Sequence, residues 1–211
     1  MTNPAATERA LLCDLLDDLG PDAPTLCGDW TTRDLAAHLV VRDRRPDAGP
    51  GIVTPLLAGY SEKVRVTETE RPYSQIVERV RSGPPRWSPM RIDHVNTVVN
   101  TVEFFVHHED VRRARPGWTS RSLDATLERT LVRLVSGPMF KLLARRSPVG
   151  ISIEPNGHPG TRLKDDDPTV AIVGPVGEIV LFLFGRQTVA EVALEGPGAT
   201  VDLLRTVELG I

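Results

Sequence analysis

The 211-residue chain is long enough for one large domain or two small ones with a buried core. It is 40% hydrophobic and 25% charged, ordinary proportions for a globular protein, which excludes a disordered or fibrous chain. A net charge of -3 argues against a general nucleic-acid binder, and no uncharged apolar run reaches the roughly 18 residues of a membrane span. The acidic N-terminal segment lacks the apolar stretch of a signal peptide, so a cytoplasmic protein is expected. Cys13 and Cys27 form neither a CxxC pair nor a disulfide framework and read as thiols in a reducing compartment.

From Ala6 to Leu19, the leucines at 11, 12, 15, 16 and 19 mark one face of an amphipathic helix, stopped by Gly20-Pro21. Thr31 with Asp34 three residues on is a capping-box signature opening a second helix, DLAAHLVVRD, which ends near Arg44-Arg45-Pro46. Trp30, just before the cap, is expected to staple that helix. After the loop PDAGPG, short helices are expected over Pro55–Thr69 and Tyr73–Arg81, then the loop SGPPRWSP. A long helix follows from about Met90 to Ala114, closed by basic residues and Pro116-Gly117. A last helix runs from Ser122 to about Ala144, kinked or split at Gly137-Pro138.

Near Ser147 the texture changes. GISIEP, TVAIVG and VALEG are short β-like runs, NGHPGTRLKDDDP reads as turns, and EIVLFLFGR is a buried helix or strand that periodicity cannot tell apart. ATVDLLRTVELGI reads as a closing helix. The expected organisation is a mainly α chain: a helical domain over 1–146 and a small α+β domain over 147–211.

The long helix carries Asp93, Asn96, Asn100, Glu103, His107 and Asp110 at alternating spacings of three and four, a seam normally filled by apolar residues. Such a seam either faces water or lines a polar cavity. Glu103 and His107 lie only about 40° apart around the helix, so carboxylate and imidazole can share one divalent ion. That pair needs a third ligand from another helix, and His38 in DLAAHL is the candidate, a core histidine being the alternative. His94 points roughly opposite Glu103, His108 falls on the flank, and His158 sits in a Gly/Pro loop. Cys27 reads as a partly buried thiol, with a redox or ligand thiol that reaches the site as the alternative. The arginine clusters at 42–45, 112–115 and 145–146 read as helix-end charges.

LCGDWTTRDLAAHL followed by TVEFFVHHEDVRRARPGW resembles the metal-binding domain of mycothiol-dependent maleylpyruvate isomerases, within the DinB-like superfamily. It resembles the family's actinobacterial members without an assigned substrate more than the named isomerase. EIVLFLFGRQTVAEVALEG is similar to that family's small C-terminal domain, itself akin to sterol-carrier-like modules. The resemblance implies a DinB-like four-helix bundle holding a metal on His38, Glu103 and His107, with Asp110 and Asp34 supporting the imidazoles. Two imidazoles and one carboxylate suit Zn²⁺, with Ni²⁺ or Fe²⁺ also accommodated. The ion would activate mycothiol or a similar low-molecular-weight thiol in a transferase or isomerase, with Arg186 supplying positive charge and Asn100 holding a metal-bound water. The implied partners are a small-molecule thiol and an electrophilic substrate, with no nucleic acid and no membrane, and a homodimer is compatible with the chain. The alternatives are a non-catalytic metal-binding or ligand-sensing module, and a metal-free bundle with a hydrated seam.

Overall fold

The computed structural model of the chain describes residues 3–48, 55–85 and 99–210. The chain divides into two units, Met1–Thr119 and Ser120–Ile211. Nine helices and a four-stranded sheet occupy the described residues, a mainly α protein with one small mixed sheet. No helix among them is long and apolar enough to cross a membrane.

The first unit contains α1 (Pro4–Leu19), α2 (Thr32–Arg44), α3 (Pro55–Thr69), α4 (Tyr73–Arg81) and α5 (Thr101–Arg113). The stripe of α1 does what its spacing predicts: Leu12, Cys13 and Leu16 are fully buried, while Leu11, on the edge of the stripe, stays 43% exposed. Gly20 ends α1 at a φ of 75°, a conformation that costs glycine little, and returns its N–H to the Leu16 carbonyl. The α2 capping box forms in full: the Thr31 hydroxyl accepts from the Asp34 N–H while the Asp34 carboxylate accepts from the Thr31 N–H. One core joins Leu12 and Leu16 of α1, Leu35 and Leu39 of α2, Ile76 and Val80 of α4 and Phe104 of α5, with Trp30 and Tyr73 packed against it. This core fixes α2 and α5 so that one presents a half-buried His38 and the other a half-buried Glu103 and a buried His107 beside it.

The long helix is described from Thr101, entered through a wider π-type turn at Val99 and Asn100, a feature frequent at functional sites. Asp93, His94 and Asn96 lie outside the described residues, as does the second half of each of the two expected loops over 46–51 and 82–89. From Asn100 onward the polar seam faces inward: Asn100 and Asp110 are fully buried and His107 is 9% exposed. The water-facing reading of that part of the seam is therefore corrected. His108, on the flank of the helix, is also buried, with its Nδ1 3.1 Å from Glu8 Oε2 on α1.

The second unit contains α6 (Ala125–Val135), α7 (Pro138–Ala144), β1 (Gly150–Pro155), β2 (Thr161–Lys164), β3 (Thr169–Gly174), α8 (Val176–Leu183), β4 (Ala193–Glu195) and α9 (Gly198–Thr206). The strand order is β2-β1-β3-β4; β1 and β3 are parallel and the outer pairs antiparallel. Ile151, Ile153, Val170 and Ile172 are fully buried, and every residue of α8 is buried, which settles EIVLFLFGR as a helix. Two expectations need correction. Thr161–Lys164, read as turn chemistry, is an edge strand whose single apolar residue, Leu163, is buried. The division falls after Thr119 rather than near 146, because α6 packs on α8 and α7 on β2, which places both helices in the second unit.

Candidate metal centre

His38, carried on the second turn of α2, meets Glu103 and His107 from α5. Nε2 of His38 lies 3.4 Å from Glu103 Oε1, and Nε2 of His107 lies 3.3 Å from the same oxygen. The two imidazole rings are 5.4 Å apart, edge to face. The i, i+4 spacing of Glu103 and His107 brings their heads together as the helix requires. The donor atoms of the three residues all lie within 4.8 Å of one another.

These separations bear on whether a divalent ion fits. Hydrogen bonds between nitrogen and oxygen cluster near 2.9 Å. The edges of a tetrahedron whose bonds are about 2.0–2.1 Å long measure about 3.3–3.4 Å. The observed 3.3 and 3.4 Å match the latter. Two imidazoles and one carboxylate are also the donor chemistry of mononuclear sites that keep a position open. The residues present fit a divalent ion.

The surrounding charges hold the three groups in unequal states. Burial pushes the Glu103 carboxyl up, but the Arg42 guanidinium and hydrogen bonds from both imidazoles outweigh it and hold the carboxyl well below its usual range. Burial pulls His107 down, but Asp110, Cys27 and Glu103 together raise it well above the ordinary histidine value. For His38, burial, reinforced by the neighbouring His107 and Arg42, outweighs Glu103, and its value is lowered. These charges favour a proton on His107 against an ionised Glu103, beside a neutral His38.

The supporting residues differ from the sequence-based expectation in several respects. Asp110 is in place: its Oδ2 lies 2.9 Å from Nδ1 of His107, which turns Nε2 toward Glu103. Asp34 serves the cap rather than His38: its carboxylate accepts from Thr31 and from Arg65 at 2.6 Å. Asn100 accepts a 2.6 Å hydrogen bond from Arg42 instead of standing free for a metal-bound water. Arg186 belongs to the second unit, where its guanidinium donates to the Phe184 carbonyl.

Two residues gain importance that the sequence did not give them. Arg42, expected only as a helix-end charge, is half-buried at the site with its Nε 3.2 Å from Glu103 Oε1, and its Nη2 is buried without a hydrogen-bond partner. Its position one turn after His38 was the available signal, since residues four apart share a face. Trp30 packs its ring 5.2 Å from that of His38, with Arg65 over its face at 4.7 Å, so it also forms a wall of the site. Cys27 lies closer than expected: its Sγ donates to Asp110 Oδ2 at 3.1 Å and sits 3.8 Å from His107 Nδ1.

No curated protein and no solved structure matches the chain. Residues 3–88 match the model of the mycothiol maleylpyruvate isomerase N-terminal domain. That stretch carries Trp30, the capping box, His38 and Arg42, while Glu103 and His107 lie beyond it. Over residues 3–88 the chain is thus similar to the mycothiol maleylpyruvate isomerase N-terminal domain.

Proposed function

We propose that the protein is a divalent-metal-dependent thiol transferase or isomerase of the cytoplasm, with His38, Glu103 and His107 holding one ion. The observation that carries this reading is the convergence of two imidazole nitrogens from separate helices on one carboxylate oxygen, at 3.3 and 3.4 Å. Zn²⁺ suits the donor set best, Ni²⁺ and Fe²⁺ being accommodated by the same ligands. We read the first unit as a DinB-like bundle and the second as a sterol-carrier-like module. Mycothiol, after which the matching family is described, is the thiol this reading favours.

A bound ion would supply the Lewis acidity that turns a thiol into a thiolate at neutral pH. The protein's own groups divide the remaining work. Asp110 keeps the His107 proton on Nδ1, which leaves Nε2 as a ligand. Arg42, held between Asn100 and Glu103, places a fixed positive charge where anionic sulfur or a developing enolate needs one. Trp30 narrows the site beside His38 and limits water. Addition of the thiol to a conjugated double bond, with rotation and departure, gives isomerisation; displacement of a leaving group gives transfer.

The test begins with metal analysis of protein purified without a histidine tag, followed by thiol-consumption assays against a panel of electrophiles with Zn²⁺ restored. The expected result is one ion per chain and conjugation that His107→Ala abolishes. A protein with no ion and no uptake of added Zn²⁺ would exclude the metal, and full occupancy without turnover on any electrophile would leave a binding or sensing module.

A further inference from the structure

His107 presents two faces, and only Nε2 is used by the set just described. On the other face Nδ1 meets Asp110 Oδ2 at 2.9 Å and Cys27 Sγ at 3.8 Å, while the thiol and the carboxylate are 3.1 Å apart. Two independent features hold this group. The loop bearing Cys27 is tied to α5 by the Leu26 N–H donating to the Asp110 carbonyl. The loop is also closed on itself, as the Thr25 hydroxyl accepts from the Cys27 N–H and donates to the Trp30 carbonyl. Asp110 is fully buried, and its ligand atom lies within 4.8 Å of those of both neighbours.

We propose that Cys27, Asp110 and Nδ1 of His107 form a second cation site, selective for soft divalent ions such as Cd²⁺, back to back with the His38–Glu103–His107 set. The donor chemistry separates the two. The first set offers two nitrogens and one oxygen with a single negative charge. The second offers sulfur, nitrogen and oxygen, and carries two negative charges once the thiol is ionised. Thiolate selects soft ions that imidazole and carboxylate do not distinguish as sharply. Coordination exchanges the Cys27 S–H and His107 Nδ1–H bonds for sulfur–metal and nitrogen–metal bonds, and both displaced protons pass to solvent. Asp110 Oδ2, which accepts from both the thiol and Nδ1–H in the metal-free protein, becomes a ligand in turn.

The shared imidazole couples the two sets. A neutral imidazole has one nitrogen with a proton and one without. When Nδ1 binds an ion, Nε2 keeps the proton and leaves the first set with only His38 and Glu103. A soft ion on Cys27 therefore weakens the other site through tautomer exchange, with no change of fold. This second site stands on its own contacts, and only the coupling rests on the proposed function.

The experiment is titration of the full chain with Cd²⁺, following the ultraviolet thiolate-to-metal charge-transfer band. Cys13 should contribute little: it is fully buried, and burial pushes its thiol up to about 12. The expected result is a saturable band in the wild-type protein, lost in Cys27→Ser and retained in a His38→Ala/Glu103→Gln variant that lacks the first set. No band in the wild-type protein, or a band that survives Cys27→Ser, would overturn the proposal. A band lost equally in the double variant would make Cys27 a further ligand of one single site, and would overturn it too. Should the double variant fail to fold, cadmium NMR of the wild-type protein decides. With Cd²⁺ in excess, enough to fill the weakened His38–Glu103 pair as well, separate thiolate-bound and nitrogen/oxygen-bound signals support two sets, and a single signal at every ratio refutes them.

Discussion

Arg42 holds its guanidinium against Glu103 and Asn100 at the centre of a buried charge cluster, so its removal should act in opposite directions on two observables. A fixed cation repels a divalent ion and attracts an anion. In Arg42→Gln, Zn²⁺ should bind more tightly than in the wild-type protein, while thiol conjugation at saturating metal slows. Chelator competition reads the first and single-turnover kinetics the second; a parallel fall in both would mean that Arg42 only shapes the site. Asp110→Asn makes the contrasting case. It leaves the first set's ligands in place but weakens the acceptor that orients His107, and such supporting groups are typically worth about 10–100-fold in metal affinity. Chelator competition should show a loss in that range, and unchanged affinity would remove Asp110 from the centre.

At the scale of elements, α2 carries His38 and Arg42, and its start is set by the Thr31–Asp34 box. Thr31→Ala removes the hydroxyl that accepts the Asp34 N–H and should cost about 1 kcal/mol of stability in urea unfolding. A cost near zero would mean that the tertiary packing of Leu35 and Leu39 fixes the helix start without the cap. This helix was legible because its signals are local: a cap, a box and an apolar stripe within a dozen residues. Strand β2 was not, because TRLK has one apolar side chain and lies at a sheet edge, where its pairing with β1 is the only thing that makes it a strand. The inward seam of α5 was half legible. Spacing put Asn100, Glu103, His107 and Asp110 on one stripe, but whether that stripe meets water or core is decided by α1 and α2, which are distant in sequence.

At the scale of the whole chain, the change of texture near Ser147 is real, yet the division lies after Thr119, because α6 and α7 pack on elements that follow them. Helical periodicity reports which face is buried and not the partner that buries it. The candidate centre spans residues 38 to 107 and so falls within the first unit, whose stability should depend jointly on metal and pH. Without metal, His107 is raised well above its ordinary value of 6.5, chiefly because Asp110, Cys27 and Glu103 overcome burial. Its contribution to stability is therefore present in full below pH 6.5 and lost as the pH rises through the folded value. An ion on Nε2 requires the neutral imidazole, so Zn²⁺ must displace that proton. His38, already lowered by burial, gives up none near neutrality. Zn²⁺ affinity should accordingly rise about tenfold per pH unit until the folded value of His107 is passed, equivalent to about 1.4 kcal/mol of added stability per unit. Across neutral pH the melting temperature of the metal-free protein should drift down while that of the zinc-saturated protein holds or rises, so the gap between them widens. Calorimetric titrations in buffers of different ionisation enthalpy should count one proton released per ion. A count of zero, with a gap that does not depend on pH, would mean that His107 is neutral before the metal arrives.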